Sequence, residues 1–126
     1  MPPAKDYREL RVYQLALESA IPIYEISKAF PAEEHYSLID QMRCSSRSIC
    51  ANLAEAWRKR RYPKSFVSKV SDADGEAAET LVWLDFALRL RYISAEVQAT
   101  LMKQSNHICS QLTRMMAEPE KWTPRK

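Results

Sequence analysis

The chain has 126 residues, of which 46% are hydrophobic and 28% are charged, and it carries one glycine and a formal net charge of +3. This length suits a single domain that buries a core without disulfides or metal ions, and one glycine is too few for the tight turns of a sheet protein. The composition therefore predicts an all-α chain, and the small net charge excludes any argument about partners from the total charge alone.

Cysteine usage and the absence of a long apolar run predict a cytoplasmic protein. The three cysteines form no Cys-x-x-Cys pair, and the spacing of Cys44 and Cys50 points them to different faces of one helix. No apolar run reaches the roughly 18 residues of a membrane span, and no charged-then-apolar leader opens the sequence. We therefore expect reduced thiols and no contact with a membrane.

The first predicted helix opens with a capping box, in which the spacing of Asp6 and Glu9 satisfies two backbone donors. Apolar residues then recur at steps of three and four, as one buried helix face requires. They are Leu10, Tyr13, Leu17, Ala20 and Tyr24. The helix is expected to end near Phe30, and Pro22 inside it lacks a backbone donor, so we expect a kink or an interruption there.

Three more helices follow, each with an apolar stripe. The second stripe consists of Ile39, Met42, Ser46, Ile49, Leu53 and Ala56. The third consists of Phe66, Val70, Ala73, Ala77, Leu81 and Leu84. Ser94 is the expected N-cap of the fourth, whose stripe consists of Val97, Leu101, Ile108, Leu112 and Met115. Short links force neighbours to run antiparallel, which predicts an up-down-up-down four-helix bundle over residues 1–118 and a mobile tail over 119–126.

One segment of the third helix is apolar around almost its whole circumference. It reads LVWLDFALRL at residues 81–90, where only Asp85 and Arg89 interrupt the apolar residues. Either this helix is central or a second face of it meets another subunit. Because every helix of a four-helix bundle has an outer face, we favour an oligomer interface. Its predicted residues are Leu81, Val82, Trp83, Phe86 and Leu90.

No motif predicts catalysis. A carboxylate-bridged metal centre in such a bundle needs Glu-x-x-His pairs on facing helices, and the sequence has none, since His35 and His107 stand apart. No glycine-rich loop is present to hold phosphate, and no serine or cysteine stands in a recognisable nucleophile motif. We therefore expect no enzymatic activity, no metal and no cofactor, and a metalloenzyme is the least favoured interpretation.

Four polar residues form a candidate set on helices two and three. Ser48, Asn52 and Glu55 step by four and three along helix two, which places them on one arc beside the apolar stripe. Glu79 on helix three is the fourth member. The set predicts either a polar pocket or a hydrogen-bonded network that fixes helix register, and we favour the network because buried polar groups in bundles more often specify packing.

Charge is distributed unevenly along the chain. Six basic residues and one acid lie within residues 43–61, whereas five acids and no base lie within residues 70–88. On an ideal helix, four arginines of the basic segment fall within an arc of roughly 60° and form a stripe about 27 Å long. They are Arg43, Arg47, Arg58 and Arg61.

Two interpretations of these arginines are open. Arginine forks suit phosphate, and three nearby cations, Lys59, Arg60 and Lys64, add to a nucleic-acid site. Alternatively, the arginines pair with the acids of helix three, in the same chain or in a neighbouring one. Lys59 and Arg60 also have an ordinary explanation, because cations in a last helical turn complement the helix dipole.

Several segments also match a known family in order. They include YRELRVYQLALE near the start, IYEISKAFPAEEHY, QMRCSSRSICANLAEA, GEAAE and LDFALRLRYI. With these segments the chain resembles the four-helix-bundle proteins encoded in 23S ribosomal RNA intervening sequences, to which the accessory variability proteins of diversity-generating retroelements are similar. The most specific part is the segment that contains Gln41, Arg43, Ser48, Ile49, Asn52, Ala54 and Glu55.

The resemblance implies a ring-like homopentamer of antiparallel bundles without known enzymatic activity. The retroelement relatives are basic pentamers that bind nucleic acid and a reverse transcriptase. Together, residues and resemblance predict a non-enzymatic oligomeric scaffold that binds RNA or DNA through the arginine stripe, with a reverse transcriptase as a candidate partner. The alternative is a protein-only interaction scaffold whose arginines pair with helix three.

Overall fold

A computed structural model describes residues 4–122, and this part of the chain is helical without any strand. Four α-helices form it: α1 Arg11–Ser27, α2 Leu38–Arg58, α3 Pro63–Arg89 and α4 Ala95–Ala117. Short 3₁₀ helices lie before α1, between α1 and α2, and after α4, at Tyr7–Glu9, Ala32–Glu34 and Pro119–Lys121. The predicted fold class, four helices and no strand in the described residues, is confirmed and is consistent with a four-helix bundle.

The start of the first helix differs from the prediction. Asp6 does act as a cap, but its side chain accepts a hydrogen bond from the Arg8 backbone N–H at 3.1 Å and so caps the short 3₁₀ helix. Helix α1 begins only at Arg11, after Leu10 has taken an extended conformation. Pro22 lies inside α1 without interrupting it.

Helix α2 ends before Arg61, whereas the predicted arginine stripe assumed an ideal helix that continues through Arg61. Its last residue is Arg58, and Lys59 already has a non-helical backbone. Pro63 is the first residue of α3, and a proline disfavours helical backbone in the residue before it, so Tyr62 is extended and residues 59–62 must turn. Arg61 therefore lies in this turn, and the prediction that it continues the stripe on helix two is wrong.

The helices pack in a closed cycle. Helix α2 contacts α1 and α3, while α4 contacts α3 and α1. In the described part of the chain, α1 does not contact α3 and α2 does not contact α4. Each helix therefore has two packed sides and one outer side, which is the arrangement that leaves every helix available at the surface.

The residues found buried include every predicted stripe residue of helix two but only some of those predicted for helix one. All six predicted positions of the second stripe are buried. In α1, by contrast, Leu17 is exposed and Tyr13 and Tyr24 are half-buried. The buried face of α1 consists of Val12, Ala16, Ser19, Ala20, Ile23 and Ser27. Small residues let α1 approach its neighbours closely there, which turns the larger Leu17 outward.

Candidate nucleic-acid interface

The basic residues that follow α2 gather around the turn between α2 and α3. Arg58, Lys59, Arg61 and Lys64 are all exposed there. A hollow of about 220 Å³ on one side is lined by Arg58, Arg60, Arg61 and Tyr62. A second hollow of about 240 Å³ is lined by Lys59, Lys64, Ser65, Ser68 and Lys69. We name the residues 58–64 the basic turn; it presents cations and hydroxyl groups, a combination that suits phosphate oxygens.

Arg60 differs from its neighbours because the protein itself holds its side chain. Its guanidinium lies 3.9 Å from the centre of the Trp57 ring, and Nη1 donates a hydrogen bond to the Trp57 carbonyl at 2.8 Å. This carbonyl belongs to the last turn of α2, where a cation complements the helix dipole. Arg60 thus closes the helix, and the exposed cations around it are better placed for a ligand.

Arg43 and Arg47 lie away from the basic turn, against α1. The Arg43 guanidinium is 4.5 Å from the centre of the Tyr24 ring, and its Nε donates a hydrogen bond to Ser27 Oγ at 2.9 Å. The Arg47 guanidinium is 5.7 Å from the same ring and remains exposed. From Arg47 to Arg58 the helix rises by about 16 Å, so the structure separates the predicted site into two groups.

Within the part of the chain that the structure describes, the seven predicted cations form no ion pair with an acid. Among residues 4–122, no carboxylate oxygen lies within 4 Å of a side-chain nitrogen of any of the seven. The ion pair between α2 and α3 has the opposite polarity, with Glu55 on α2 and Lys69 on α3 at 2.7 Å. Hydrogen bonding and charge from Lys69 lower the pKa of Glu55. The pairing of the arginines with helix three inside one chain is therefore absent from the described residues.

The four predicted polar residues are not brought together. Ser48 and Asn52 are half-buried, Glu55 and Glu79 are exposed, and within residues 4–122 no hydrogen bond joins the four side chains. The buried polar contact between α2 and α3 is made instead by Thr80 Oγ1 and Ser45 Oγ, at 2.9 Å. Thr80 was identifiable from the sequence, because it lies at helical spacing between the stripe residues Ala77 and Leu84.

The predicted oligomer interface is exposed in the single chain. Val82, Phe86 and Leu90 are 46%, 51% and 47% exposed, while Leu81 and Trp83 are half-buried. A hollow of about 350 Å³ separates this part of α3 from the start of α2, and Tyr36 borders it. We name Val82, Trp83, Phe86 and Leu90 the α3 face. The alternative that α3 is a central helix is wrong for the single chain, because Val82, Phe86 and Leu90 project outward and α3 packs only against α2, α4 and the short 3₁₀ helix after α4 among the described elements.

A second exposed apolar surface was not predicted. Leu17 is 44% exposed and Ile21 is 55% exposed on α1. They border a hollow of about 340 Å³, lined by Leu17, Ala20, Ile21, Tyr24, Arg47 and Cys50, which we name the α1–α2 groove. The sequence contained a signal for it, because α1 has large apolar residues on more than one face.

Two further properties concern metal ions and membranes. Across residues 4–122, no three His, Cys, Asp or Glu side chains are grouped closely enough to hold a metal ion. None of the helices in this range combines the length and the apolar character of a membrane span.

Comparison with known proteins identifies a family and a similar solved structure. A family model described as 23S rRNA-intervening sequence protein matches residues 8–114. A crystal structure from Bacteroides thetaiotaomicron, of a protein with unknown function from the S23 ribosomal protein family, superimposes with a TM-score of 0.76 and 29% sequence identity, covering 84% of this chain and 95% of that chain. A search of curated proteins gave no significant match.

Proposed function

The chain belongs to the 23S rRNA-intervening sequence protein family, and we propose that it is a cytoplasmic, non-enzymatic scaffold that assembles into a ring and binds nucleic acid at the basic turn. In this proposal each copy is an up-down-up-down bundle, the ring holds five copies as the resemblance implies, and a reverse transcriptase is a candidate partner. The exposed cations of the basic turn are the observation that carries the nucleic-acid part.

The basic turn supports the proposal through its charge and its geometry. Four exposed cations lie on one short connection, and each lines one of its two hollows. Arg58 and Arg61 line one hollow, and Lys59 and Lys64 line the other. Phosphate oxygens are the partners that arginine forks and lysine ammonium groups share. Contacts of this kind bind the backbone of RNA or DNA without reading its sequence. Tyr62, 62% exposed, adds a ring on which an unpaired base can stack.

In the proposed up-down-up-down arrangement, this turn lies at one end of the bundle. Tyr92, in the connection after α3, donates a hydrogen bond to Glu34 Oε2, in the connection before α2, at 2.8 Å. These two connections therefore lie at a common end, and the basic turn is expected at the other. A ring then carries one basic turn per copy on the same rim, so weak phosphate contacts gain from high effective concentration.

The salt dependence of RNA or DNA binding tests the nucleic-acid part. We expect the wild-type chain to bind a single-stranded oligonucleotide at low salt, with an affinity that falls linearly on logarithmic axes as salt rises. A chain with Arg58→Ala and Arg61→Ala should show a slope smaller by about 0.7 for each phosphate that is no longer neutralised. Its oligomeric mass should match that of the wild type.

A matched control removes two charges elsewhere. Lys28 and Lys103 are exposed on the surface at the end of α1 and on α4, outside the basic turn. The chain with Lys28→Ala and Lys103→Ala should keep the wild-type slope. Equal slopes for the wild type and the Arg58/Arg61 variant, or no binding by the wild type at low salt, would contradict the proposed site.

A further inference from the structure

Two apolar surfaces are exposed on neighbouring sides of the helix arrangement. The α3 face borders the start of α2, and the α1–α2 groove lies between α1 and the middle of α2. Both surfaces use α2 as one wall, yet they share no residue. Exposed apolar surface of this kind marks a contact with another molecule, and here two such contacts must be explained.

A cation lies beside one of the two surfaces and an acid lies beside the other. Arg47 lines the α1–α2 groove, and Arg43 lies beside it over the same tyrosine ring. Next to the α3 face, Glu79 is an exposed acid one turn before Trp83, and Arg89 is an exposed cation at the opposite end; Asp85 accepts a hydrogen bond from Gln98 Nε2 of α4 at 3.0 Å. Burial, together with the charge of Glu79, raises the pKa of Glu76, as expected where acids crowd together on one part of a helix. Arg47 and Glu79 thus form one complementary pair of charges, and the two surfaces are alike in being apolar.

We infer that the α3 face of one copy docks into the α1–α2 groove of the next copy, with Phe86 against Ile21 and with Arg47 facing the acids of α3. This inference rests on the assembly part of the proposed function and specifies the two surfaces that meet. It also gives the intermolecular pairing of arginines with helix three a definite place, at Arg47 rather than at the basic turn.

A heterologous contact explains both surfaces with one interface. If each surface instead met its own copy, two copies of Arg47 would share one interface and two copies of Glu79 would share the other, so like charges would be brought together. Two different self-complementary interfaces on one chain would also require a dihedral assembly or an open polymer, and neither is a cyclic ring. Docking the α3 face into the α1–α2 groove removes both problems, because unlike charges meet and every copy offers one surface of each kind.

The placement of the surfaces favours a small ring. Neighbouring sides of a four-helix arrangement face directions about 90° apart, whereas a cyclic ring needs about 90° for four copies and about 108° for five. Successive copies therefore turn toward one another and do not extend in a straight row. An angle of about 90° lies nearest to a ring of four copies and within about 20° of a ring of five, the size that the resemblance implies.

Two variants that each block one surface test the inference. Ile21→Asp blocks the α1–α2 groove, and Phe86→Asp blocks the α3 face; both positions are exposed, so neither change disturbs the core. Each variant alone should be a monomer of 14.6 kDa by light scattering. Mixed at protein concentrations up to about 1 mM, the two should form a pair of twice that mass, because one intact surface of each kind remains. Ser110→Asp, which adds the same charge to an exposed position of α4, should keep the wild-type mass.

Disulfide trapping tests the same contact inside the intact assembly. In a background with Cys44→Ser and Cys50→Ser, the second because Cys50 lines the α1–α2 groove, chains carrying Ile21→Cys and chains carrying Phe86→Cys are mixed and oxidised mildly. A cross-linked dimer should form in the mixture and in neither chain alone. Cross-linking of one variant with itself, single Asp variants that remain dimeric, or a mixture without any joint product would overturn the inference. A monomeric wild type would overturn the proposed assembly as well, whereas nucleic-acid binding is measured independently of both.

Discussion

The connection after α3 contains a strained residue, and relieving the strain should stabilise the protein. Arg91 has a left-handed backbone, at φ 65°. The backbone N–H groups of Arg91 and Tyr92 donate to the carbonyls of Leu88 and Ala87, at 2.9 and 2.8 Å, which is the hydrogen-bond pattern of a helix end that glycine usually occupies. We expect Arg91→Gly to increase the free energy of unfolding.

The magnitude follows from two opposing terms. A left-handed conformation costs an ordinary residue about 1 to 2 kcal/mol, and glycine avoids this cost. Glycine also has more conformational freedom in the unfolded chain, which offsets about 0.5 to 1 kcal/mol. The net gain should be about 0.5 to 1 kcal/mol, or a rise in Tm of about 2 to 4 °C for a chain of this size.

Thermal and urea unfolding, followed by circular dichroism at one fixed protein concentration, measure the effect. Two controls separate the backbone from the side chain. Arg91→Ala loses the side chain and keeps the strain, so its stability should stay within about 0.5 kcal/mol of the wild type. Ala78→Gly, at an exposed position in the middle of α3, should destabilise by about 1 kcal/mol. If Arg91→Gly were no more stable than Arg91→Ala, the argument from backbone strain would be refuted.

Three further predictions concern hydrogen bonding, pH and thiol reactivity. In a double-mutant cycle, Ser45→Ala and Thr80→Val should show a coupling of about 0.5 to 1.5 kcal/mol in urea unfolding, because each single change removes the hydrogen bond between the helices and leaves the other hydroxyl only the carbonyl of Glu76 or Met42 on its own helix. Additive effects would contradict the contact. Hydrogen bonds from Ser37 and Tyr92 lower the pKa of Glu34, so their contribution to stability is present above pH 4.5 and is lost as pH falls through the lowered pKa. Tyr92→Phe should reduce this acid dependence in unfolding curves measured from pH 7 to pH 3, and an unchanged dependence would argue against the bond. Burial raises the pKa of Cys50 to about 11. Iodoacetamide at pH 8 should therefore modify the exposed Cys44 at least about tenfold faster than Cys50. Peptide mass spectrometry that found Cys50 modified first would contradict its burial.

The helices and much of the core could be predicted because their signals are local. On α2, the apolar positions occupy one face and small or polar residues occupy the others, so periodicity alone identified every buried position of its stripe. Ser94 was identified as the cap of α4 for the same reason, and its side chain accepts a hydrogen bond from the Val97 backbone N–H at 3.1 Å.

Other features depended on which surfaces meet in three dimensions. Helix α1 has apolar residues on several faces, so the periodicity did not show that Ala16 would be buried and Leu17 exposed. The end of α2 could be predicted only from the effect of Pro63 on the backbone of Tyr62, together with the length of chain needed to turn between two packed helices. The α1–α2 groove depended on the packing of α1 against α2, which no single stretch of sequence contains.

The separation of the arginines gives the two parts of the proposed function different residues. Arg47 lies at the α1–α2 groove with its neighbour Arg43 fixed to Ser27, whereas Arg58 and Arg61 lie about 16 Å or more away at the basic turn. If this division is correct, Arg47→Glu should dissociate the assembly by placing like charges against the acids of α3, while the Arg58/Arg61 variant keeps its mass and binds oligonucleotide with a weaker salt dependence. The dissociated Arg47→Glu chain should still contact oligonucleotide through its single basic turn, with an affinity reduced because a monomer is no longer multivalent. An Arg47→Glu chain that remained fully assembled would place Arg47 outside the interface and return it to the nucleic-acid site.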